Sequence, residues 1–496
     1  MNFLDKLSQY RIAKNTSVLA VTQLASRFAA IFYVTALAHY VGSEGIGQIS
    51  IANSINGLLL LIVGPGLSVL FVRDVAPKPE RAASYVFNTV FIRLLLFVPF
   101  VIATFIVGNS GRYPADTVNI VHLYTLVYLC DSLTEILICV FRSYERMEYE
   151  GGLQIARDVV NISLSLLAIY LHWSLYAIVA MSVVAQAFKL LLALRLVSKH
   201  LVRPELHLDL SLSKSLLLTS LPFGVLLIIQ TLEAELGTFV LSLYYSADVV
   251  GVFAAANTLI IMLLLIPNSF SNAIFPNIAR MAQRSISELR EFYRLSFKYL
   301  LVLGFPLGLG TMLVGQRVIL LIYGDSFAGA AVPVAIMAVF LFTIVGYSNG
   351  PVLQATGRQR FFAWTEGVAA LTQAILCFWL VPTYGAIGAA LAFTVGGGMV
   401  TFFVHSFACH RQLHLSVPWA TLLRVALATA LMALAIVWGI EAGISWLIVS
   451  IFIAPPVYGV ALIALRVLKR DEFRILAGAS PAMEESPLPL GIEAQA

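Results

Sequence analysis

Charged residues are scarce in this sequence: Asp, Glu, Lys and Arg make up 11% of its 496 residues, whereas 60% are hydrophobic. Soluble domains carry charge on about a quarter of their residues, so this composition excludes an ordinary soluble protein. The mean hydropathy of +0.90 and the long continuous apolar runs instead predict an all-α polytopic membrane protein.

Signatures of catalysis and of metal binding are missing as well. The four cysteines lack metal-ligand or redox spacing and are interpreted as small packing residues: Cys130, Cys139, Cys377 and Cys409. The sequence contains no G-x-x-x-x-G-K-[ST] loop, no H-E-x-x-H motif and no soluble stretch long enough for a nucleotide-binding domain. We therefore expect neither an enzyme nor a resident cofactor, and no metal site or nucleic-acid partner.

Fourteen apolar segments are long enough to cross a membrane at about 1.5 Å per residue. They cover approximately residues 16–37, 48–70, 85–107, 118–141, 153–171, 174–197, 216–243, 250–272, 295–315, 330–352, 361–381, 386–408, 420–440 and 445–467. Basic residues are concentrated in alternate connections, and the other connections hold only Arg112 and Arg317. By the positive-inside rule, this alternation predicts that both termini are cytoplasmic.

The first two segments recur later in the chain. A shift of 204 residues aligns Tyr40 with Tyr244, Glu44 with Asp248, Gly47 with Gly251, Ala52 with Ala256, and Asn53 with Asn257. Six segments separate the copies, which predicts a parallel repeat about a pseudo-twofold axis along the membrane normal. The expected domains are two six-helix bundles over residues 1–200 and 215–410, a cytoplasmic linker over 201–214, two further helices over 411–470, and a largely disordered cytoplasmic tail over 471–496.

Ionisable residues inside apolar segments mark functional sites or buried ion pairs, because a bare charge is costly there. Arg27 lies at the middle of the first segment, and both interpretations stay open for it: a cationic wall for an anionic cargo, or a structural ion pair. Candidate cargo-binding residues of a central cavity are Arg27, Arg93, Lys189, Asn53 and Asn257, although Arg93 and Lys189 lie near enough to a helix end to snorkel. Candidate coupling or ion-pair carboxylates are Glu233, Glu235, Asp131 and Glu135.

Helical spacing sorts these carboxylates into faces. Asp131 and Glu135 are four residues apart and share a face, whereas Glu233 and Glu235 are two apart and point in opposite directions. Glu366 is interpreted as structural and His405 as interfacial.

Two stretches resemble a known transporter family. Gly42-Ser-Glu-Gly-Ile-Gly-Gln48, followed by Arg73-Asp74, resembles the start of the Wzx-like polysaccharide flippases of the multidrug/oligosaccharidyl-lipid/polysaccharide exporter superfamily. Tyr384-Gly-Ala-Ile-Gly-Ala-Ala-Leu-Ala392 resembles the stretch that opens their twelfth helix. The resemblance implies two bundles around a cavity, alternating access, and a location in a bacterial inner membrane.

The same resemblance implies a cargo and partners. The cargo would be a polyprenyl-pyrophosphate-linked oligosaccharide moved from the cytoplasmic to the periplasmic leaflet, with its pyrophosphate at Arg27 and the other candidate cavity residues. A polysaccharide polymerase and chain-length proteins are expected partners in the lipid bilayer.

Three alternatives remain beside the flippase. A multidrug or metabolite antiporter coupled to H⁺ or Na⁺ would use Glu233, although twelve helices are usual in that group. A lipid II flippase is a second alternative, but segments 2 and 8 lack the further basic residues that those proteins carry. A non-transporting scaffold is a third, and buried charges argue against it because a scaffold has little reason to bear their cost.

Overall fold

The computed structural model describes residues 3–201, 207–413 and 418–468, with side chains from residue 29 onward. All regular structure in these ranges is helical. The helices of the first half are α1 (Phe3–Leu59), α2 (Leu67–Val75), α3 (Ala82–Gly108), α4 (Ala115–Ser143), α5 (Met147–Tyr170) and α6 (Leu175–His200), with short 3₁₀ turns at Leu60–Ile62 and Pro79–Arg81.

The second half begins with three long helices and continues with shorter ones. They are α7 (Leu210–Tyr244), α8 (Ala247–Arg284), α9 (Ile286–Tyr323), α10 (Ala331–Ala338), α11 (Asn349–Ala355), α12 (Gln359–Tyr384), α13 (Ala386–Ala392), α14 (Thr401–Leu413), α15 (Trp419–Glu441), α16 (Trp446–Ile448) and α17 (Ala454–Ala464). Segments of 3₁₀ helix at Asp325–Ala330 and Val339–Ser348 flank α10, and π-helices at Phe393–Val400 and Val449–Ile453 precede α14 and α17.

The predicted all-α membrane fold is confirmed. Thirteen helical stretches in the described ranges are long and apolar enough to cross a membrane, and the first of them, Ala29–Ile62, runs through two predicted segments. The break between these segments is Gly42, whose φ of 66° and ψ of −170° are not helical. A positive φ favours glycine, which has no Cβ to clash. Counting the arms of α1 on either side of Gly42 separately gives the predicted fourteen.

Several predicted boundaries shift. Helix α5 begins at Met147, not near residue 153, and α7 begins at Leu210, so part of the predicted linker 201–214 is helical. Residues 202–206 and the predicted tail over 471–496 lie outside the described residues.

The two halves of the chain meet along α1 and α8. A Cβ on Gly47 would overlap the carbonyl of Ala247 and lie 3.0 Å from the amide nitrogen of Gly251. Conversely, a Cβ on Gly251 would overlap the carbonyl of Ser43 and lie 2.9 Å from the amide nitrogen of Gly47. Reciprocal contacts of this kind are typical of a twofold axis, so the repeat detected in the sequence is expressed as a direct contact between its two copies. We call Ser43, Gly47, Ala247 and Gly251 the glycine seam.

Three apolar cores show how the halves are joined. The largest combines both halves, with Ile51, Val240 and Ala256 among its members, and lies at the end of the bundle that carries the glycine seam. At the other end, where the basic connections lie, there are two further cores, and the one built mainly from the first half also contains Leu216 of α7. Phe141 belongs to the core of the first half and Tyr293 to the core of the second. The halves therefore share their largest core at the seam end, and at the basic end α7 of the second half packs on α2 and α3 of the first.

Candidate functional site

A cavity of about 810 Å³ opens in the first half where it borders the second, and its volume is within the range of about 300–1,000 Å³ usual for small-molecule sites. Helices α1, α4, α5 and α6 provide most of its wall, and α8 and α9 contribute Ala254, Thr258 and Tyr323. Lining residues follow one face of α4 from Tyr124 to Arg142, a rise of about 27 Å at 1.5 Å per residue. The cavity therefore runs from membrane depth to the basic end of the bundle.

A polar network crosses the deep part of the cavity from α4 to α6. Gln186 donates from Nε2 to Asp131 Oδ1 at 2.6 Å, and Lys189 donates from Nζ to Gln154 Oε1 at 3.2 Å. Lys189 Nζ also lies 3.7 Å from Asp131 Oδ1. The Lys189 side chain is 7% exposed, whereas that of Asp131 is 56% exposed. Lys189 is therefore held inside the protein and does not snorkel.

Helix α5 carries a second stretch of this network. Arg157 pairs with Asp158 at 2.8 Å between Nη1 and Oδ1, and Gln154 Nε2 donates to the same carboxylate at 3.1 Å. Asn161 continues the line toward the seam end. Glu150, Gln154, Asp158 and Asn161 are spaced by three or four residues, which places them on one helical face.

The mouth of the cavity is braced by one arginine. Arg142 donates from Nε and Nη2 to both carboxylate oxygens of Glu150, at 3.0 and 2.7 Å. Its Nη1 donates to Glu135 Oε1 at 3.0 Å. Bidentate arginine–carboxylate pairs are among the stronger charged hydrogen bonds, so Arg142 ties α5 to α4 at the basic end.

Charges on the described wall of the cavity are paired with one another. It carries three cations and four carboxylates: Arg142, Arg157, Lys189, Asp131, Glu135, Glu150 and Asp158. Each of the three cations lies within 4 Å of at least one of these carboxylates. The wall is thus not a bare cationic surface, and an incoming anion has to replace a carboxylate partner. The backbone of Arg27 belongs to the first arm of α1, but its side chain lies outside the described residues.

Arg93 and Asn53, both predicted to line the cavity, lie elsewhere. Arg93 is buried between helices, where Nη1 donates to the Ser132 carbonyl and Nη2 to Ser68 Oγ at 2.8 Å. Asn53 donates from Nδ2 to Glu235 Oε1 at 3.4 Å and accepts from the Tyr128 hydroxyl at 2.9 Å. That contact joins α1 and α4 of the first half to α7 of the second, so Glu235 faces the junction between the halves.

Asn257 and Glu233 are half-buried in the second half, and neither is among the residues that line the cavity. Asn257 Oδ1 and Glu233 Oε1 have no hydrogen-bond partner among the described residues. Of the predicted site residues with described side chains, the structure therefore brings only Asp131, Glu135 and Lys189 into the cavity.

A second polar cluster surrounds Glu233 in the second half. Gln373 Nε2 donates to the Glu233 backbone carbonyl at 2.8 Å, and Glu366 interacts electrostatically with the Glu233 carboxyl. Glu366 Oε1 lies 3.9 Å from His405 Nδ1, and the Thr365 hydroxyl contacts His405 Nε2. The interfacial interpretation of His405 is wrong: its side chain is 2% exposed, because α14 packs on α12 with the His405 ring stacked on Phe362.

A family model described as "Polysaccharide biosynthesis protein" matches residues 12–282, more than half of the chain. The chain belongs to that family. The resemblance to the polysaccharide flippases is thereby confirmed. This polysaccharide biosynthesis family member is 19% identical to the capsular polysaccharide biosynthesis protein CapF of Staphylococcus aureus over 395 residues, which cover 77% of this chain and 96% of CapF. It is also 27% identical to the probable flippase AglR of Haloferax volcanii over 162 residues, 32% of this chain and 34% of AglR.

Solved structures support the fold of this family member. The lipid II flippase MurJ in an inward closed conformation superposes with a TM-score of 0.71 at 14% identity, covering 90% of this chain and 98% of MurJ. An inward-facing multidrug resistance MATE transporter superposes with a TM-score of 0.65 at 15% identity, covering 81% of this chain and 98% of the transporter. At such identities the likeness concerns the fold alone.

Proposed function

We propose that this protein is a flippase that moves a polyprenyl-pyrophosphate-linked oligosaccharide from the cytoplasmic to the periplasmic leaflet of the inner membrane. The family, the membrane-depth cavity and the sequence without catalytic motifs support a transporter over an enzyme. The basic connections support a cytoplasmic position for the basic end and for both termini.

The paired cations of the cavity carry this proposal. A pyrophosphate has two or more negative charges that need compensation at membrane depth, and guanidinium matches its oxygens with a fixed fork of donors. Arg142, Arg157 and Lys189 already hold carboxylates, so a pyrophosphate can exchange with these partners without leaving a bare cation at any step. Each of the three cations then has an anionic partner in both the empty and the loaded cavity. Arg27 would add a donor from α1 to the same headgroup.

The positions of the shared core and of the charged cavity support alternating access. The largest core joins the halves at the seam end, whereas the charged cavity reaches the basic end. In the proposed topology this state is open to the cytoplasm and closed to the periplasm. Transport would require the seam to part while the basic ends approach each other.

Glu233 is our candidate for the coupling carboxylate, with H⁺ or Na⁺ as the coupling ion. Its Oε1 is buried and lacks a partner among the described residues, and Glu366 and His405 supply a second carboxyl and a basic nitrogen nearby. A group of this kind can exchange a cation while the rest of the membrane interior stays apolar. A polysaccharide polymerase and chain-length proteins would act on the product.

Deletion and reconstitution test the proposal together. In cells that lack this protein and any redundant transporter, lipid-linked precursor should accumulate on the cytoplasmic side while surface polymer disappears. In vesicles, the purified protein should expose a labelled pyrophosphate-linked oligosaccharide to an enzyme added on the far side. Normal surface polymer in the deletion strain would reject the flippase. Export of cationic drugs in exchange for entering protons or sodium ions would instead favour the antiporter.

A further inference from the structure

A groove of about 490 Å³ opens at the seam end of the first half. Tyr40, Glu44 and Gln48 of α1 line it from both sides of the Gly42 bend, and Trp173 and Ser174 line it from the turn between α5 and α6. None of the residues that line this groove also lines the charged cavity. In the proposed topology the groove faces the periplasm, on the side where the cargo leaves.

A comparison of the two copies of the repeat shows which contacts of this groove are structural. The Tyr40 hydroxyl donates to the Trp173 carbonyl at 2.8 Å, and in the second half the Tyr245 hydroxyl donates to the Pro382 carbonyl at 3.2 Å. Tyr245 directly follows Tyr244, the repeat mate of Tyr40, and Pro382 lies in the last turn of α12. In each half, therefore, a tyrosine hydroxyl fastens neighbouring elements together at the seam end. The hydroxyl of Tyr40 therefore has a structural role, and it holds the backbone of Trp173 in place.

Glu44 and Gln48 break the symmetry between the halves. Asp248, the repeat mate of Glu44, accepts a hydrogen bond from the Ser43 hydroxyl across the glycine seam. The matching partner for Glu44 would be Ala247, which has no hydroxyl. Glu44 is exposed, and no hydrogen bond or ion pair links its carboxylate to another described residue. Gln48 likewise has no side-chain hydrogen bond among the described residues, whereas its mate Val252 is buried and apolar.

These features combine the chemistry that recognises a sugar. The Trp173 side chain is 43% exposed on a backbone fixed by Tyr40, so it offers a rigid aromatic face at low entropic cost. The Glu44 carboxylate accepts hydrogen bonds from hydroxyls, and the Gln48 amide both donates and accepts. An interfacial aromatic belt would explain Trp173 alone. It does not explain an unpaired carboxylate and amide on one wall of the same groove.

We propose that this groove binds the glycan of the cargo at the periplasmic exit, an inference that rests on the proposed function. A pyranose would stack its C–H face on Trp173 and donate hydroxyls to Glu44. A carboxylate repels anionic sugars, so the preferred residue is a neutral or N-acetylated sugar and not a uronic acid. Gln48 follows Gly47 directly, so the groove adjoins the seam that has to part during transport.

Binding of a lipid-free glycan tests the groove separately from flipping. The probe is the repeat-unit oligosaccharide released by mild acid from the lipid-linked pool of the source cells, titrated onto the full-length protein in nanodiscs. Trp173→Ala and Glu44→Ala should each weaken binding about fivefold or more. Gln48→Leu, which mimics the apolar repeat mate, should also weaken it. Trp173→Phe should retain part of the affinity and covers the case in which the alanine variant fails to fold.

Tyr384→Ala is the matched control, because Tyr384 is 58% exposed at the same end of the second half. It should leave binding unchanged. The proposal of a glycan site would be overturned if wild type did not bind the oligosaccharide, or if Glu44→Ala and Gln48→Leu bound it as tightly as wild type. The aromatic residues of the groove would then be membrane anchors. Flipping of lipid-linked cargo is measured on the same preparations. If wild type flips cargo but the groove variants bind the oligosaccharide as tightly as wild type, only the glycan-site proposal is refuted. If wild type does not flip cargo, the proposed function itself is refuted.

Discussion

Adding one methyl group at the glycine seam should shift the protein away from the state in which the seam is closed. In Gly251→Ala the new Cβ would overlap the Ser43 carbonyl and lie 2.9 Å from the Gly47 amide nitrogen. Carbon contacts are favourable near 3.5–4.0 Å, so α1 and α8 would have to separate by about 1 Å or more. Overpacking of this kind typically costs about 1–3 kcal/mol. The closed seam should therefore become about 5- to 150-fold less populated relative to states in which it is parted.

Disulfide formation between Ser43→Cys and Asp248→Cys reports on the closed seam, because these two side chains contact each other across it. In a background without the four native cysteines, oxidation should yield much less crosslink when Gly251→Ala is present. Gly459→Ala is the control, because a Cβ there meets nothing within 4 Å. Both substitutions replace a helical glycine and gain the same helix propensity, about 1 kcal/mol, so the comparison isolates the contact.

Two results would refute this reasoning. Equal crosslink yields in Gly251→Ala and Gly459→Ala would show that the seam tolerates a side chain and is not a tight contact. Wild-type transport by Gly251→Ala, together with a reduced crosslink, would show that the contact exists but does not limit the cycle.

Three further predictions follow from the cavity and its orientation. Lys189→Met should reduce the free energy of unfolding by only about 1 kcal/mol, because Asp131 is 56% exposed, yet it should lower transport more than tenfold in the vesicle assay. Adding Asp131→Asn should restore stability but not transport. Full recovery of transport in the double variant would show that the pair is structural. Arg27→Ala should nearly abolish transport and Arg27→Lys should transport poorly, because ammonium lacks the guanidinium fork; wild-type activity in the lysine variant would remove Arg27 from the pyrophosphate site. Phosphatase fusions after Gly111 should be active and fusions after Arg203 inactive, and the opposite pattern at either position would invert the proposed topology.

The fold was predictable because a lipid bilayer admits few kinds of backbone structure. Long apolar runs have to be helices, and the charge alternation of their connections limits how they can be counted. The sequence also indicated Asp131, Glu135 and Lys189, because a charge within an apolar run is conspicuous. Helical spacing correctly separated Glu233 from Glu235, which face the Glu366 cluster and the junction between the halves, respectively.

Other parts of the site were hidden for physical reasons. Arg142 lies at the end of α4 and Glu150 in the first turn of α5, where charged residues are common in connections. Arg157 lies inside α5 but was counted among the basic residues of the same connection. Only the polar spacing along α5 could have identified its inward face. The pair of Glu366 and His405 has no local signal, since 39 residues separate its members and only the packing of α12 on α14 brings them together. The repeat of Gly47 and Gly251 was visible, but nothing local showed that the two copies touch.

The charge pairing of the cavity wall has an electrical consequence. The charges of its three cations and four described carboxylates nearly cancel. The wall therefore has no excess positive charge that could neutralise a bound pyrophosphate. In the proposed direction the loaded carrier would then move negative charge out of a cell whose interior is negative. Each elementary charge that crosses gains about 2.3 kcal/mol per 100 mV, so two charges would gain roughly 4–5 kcal/mol. The membrane voltage itself would then bias the cargo toward the periplasm, before any ion bound at Glu233 contributes.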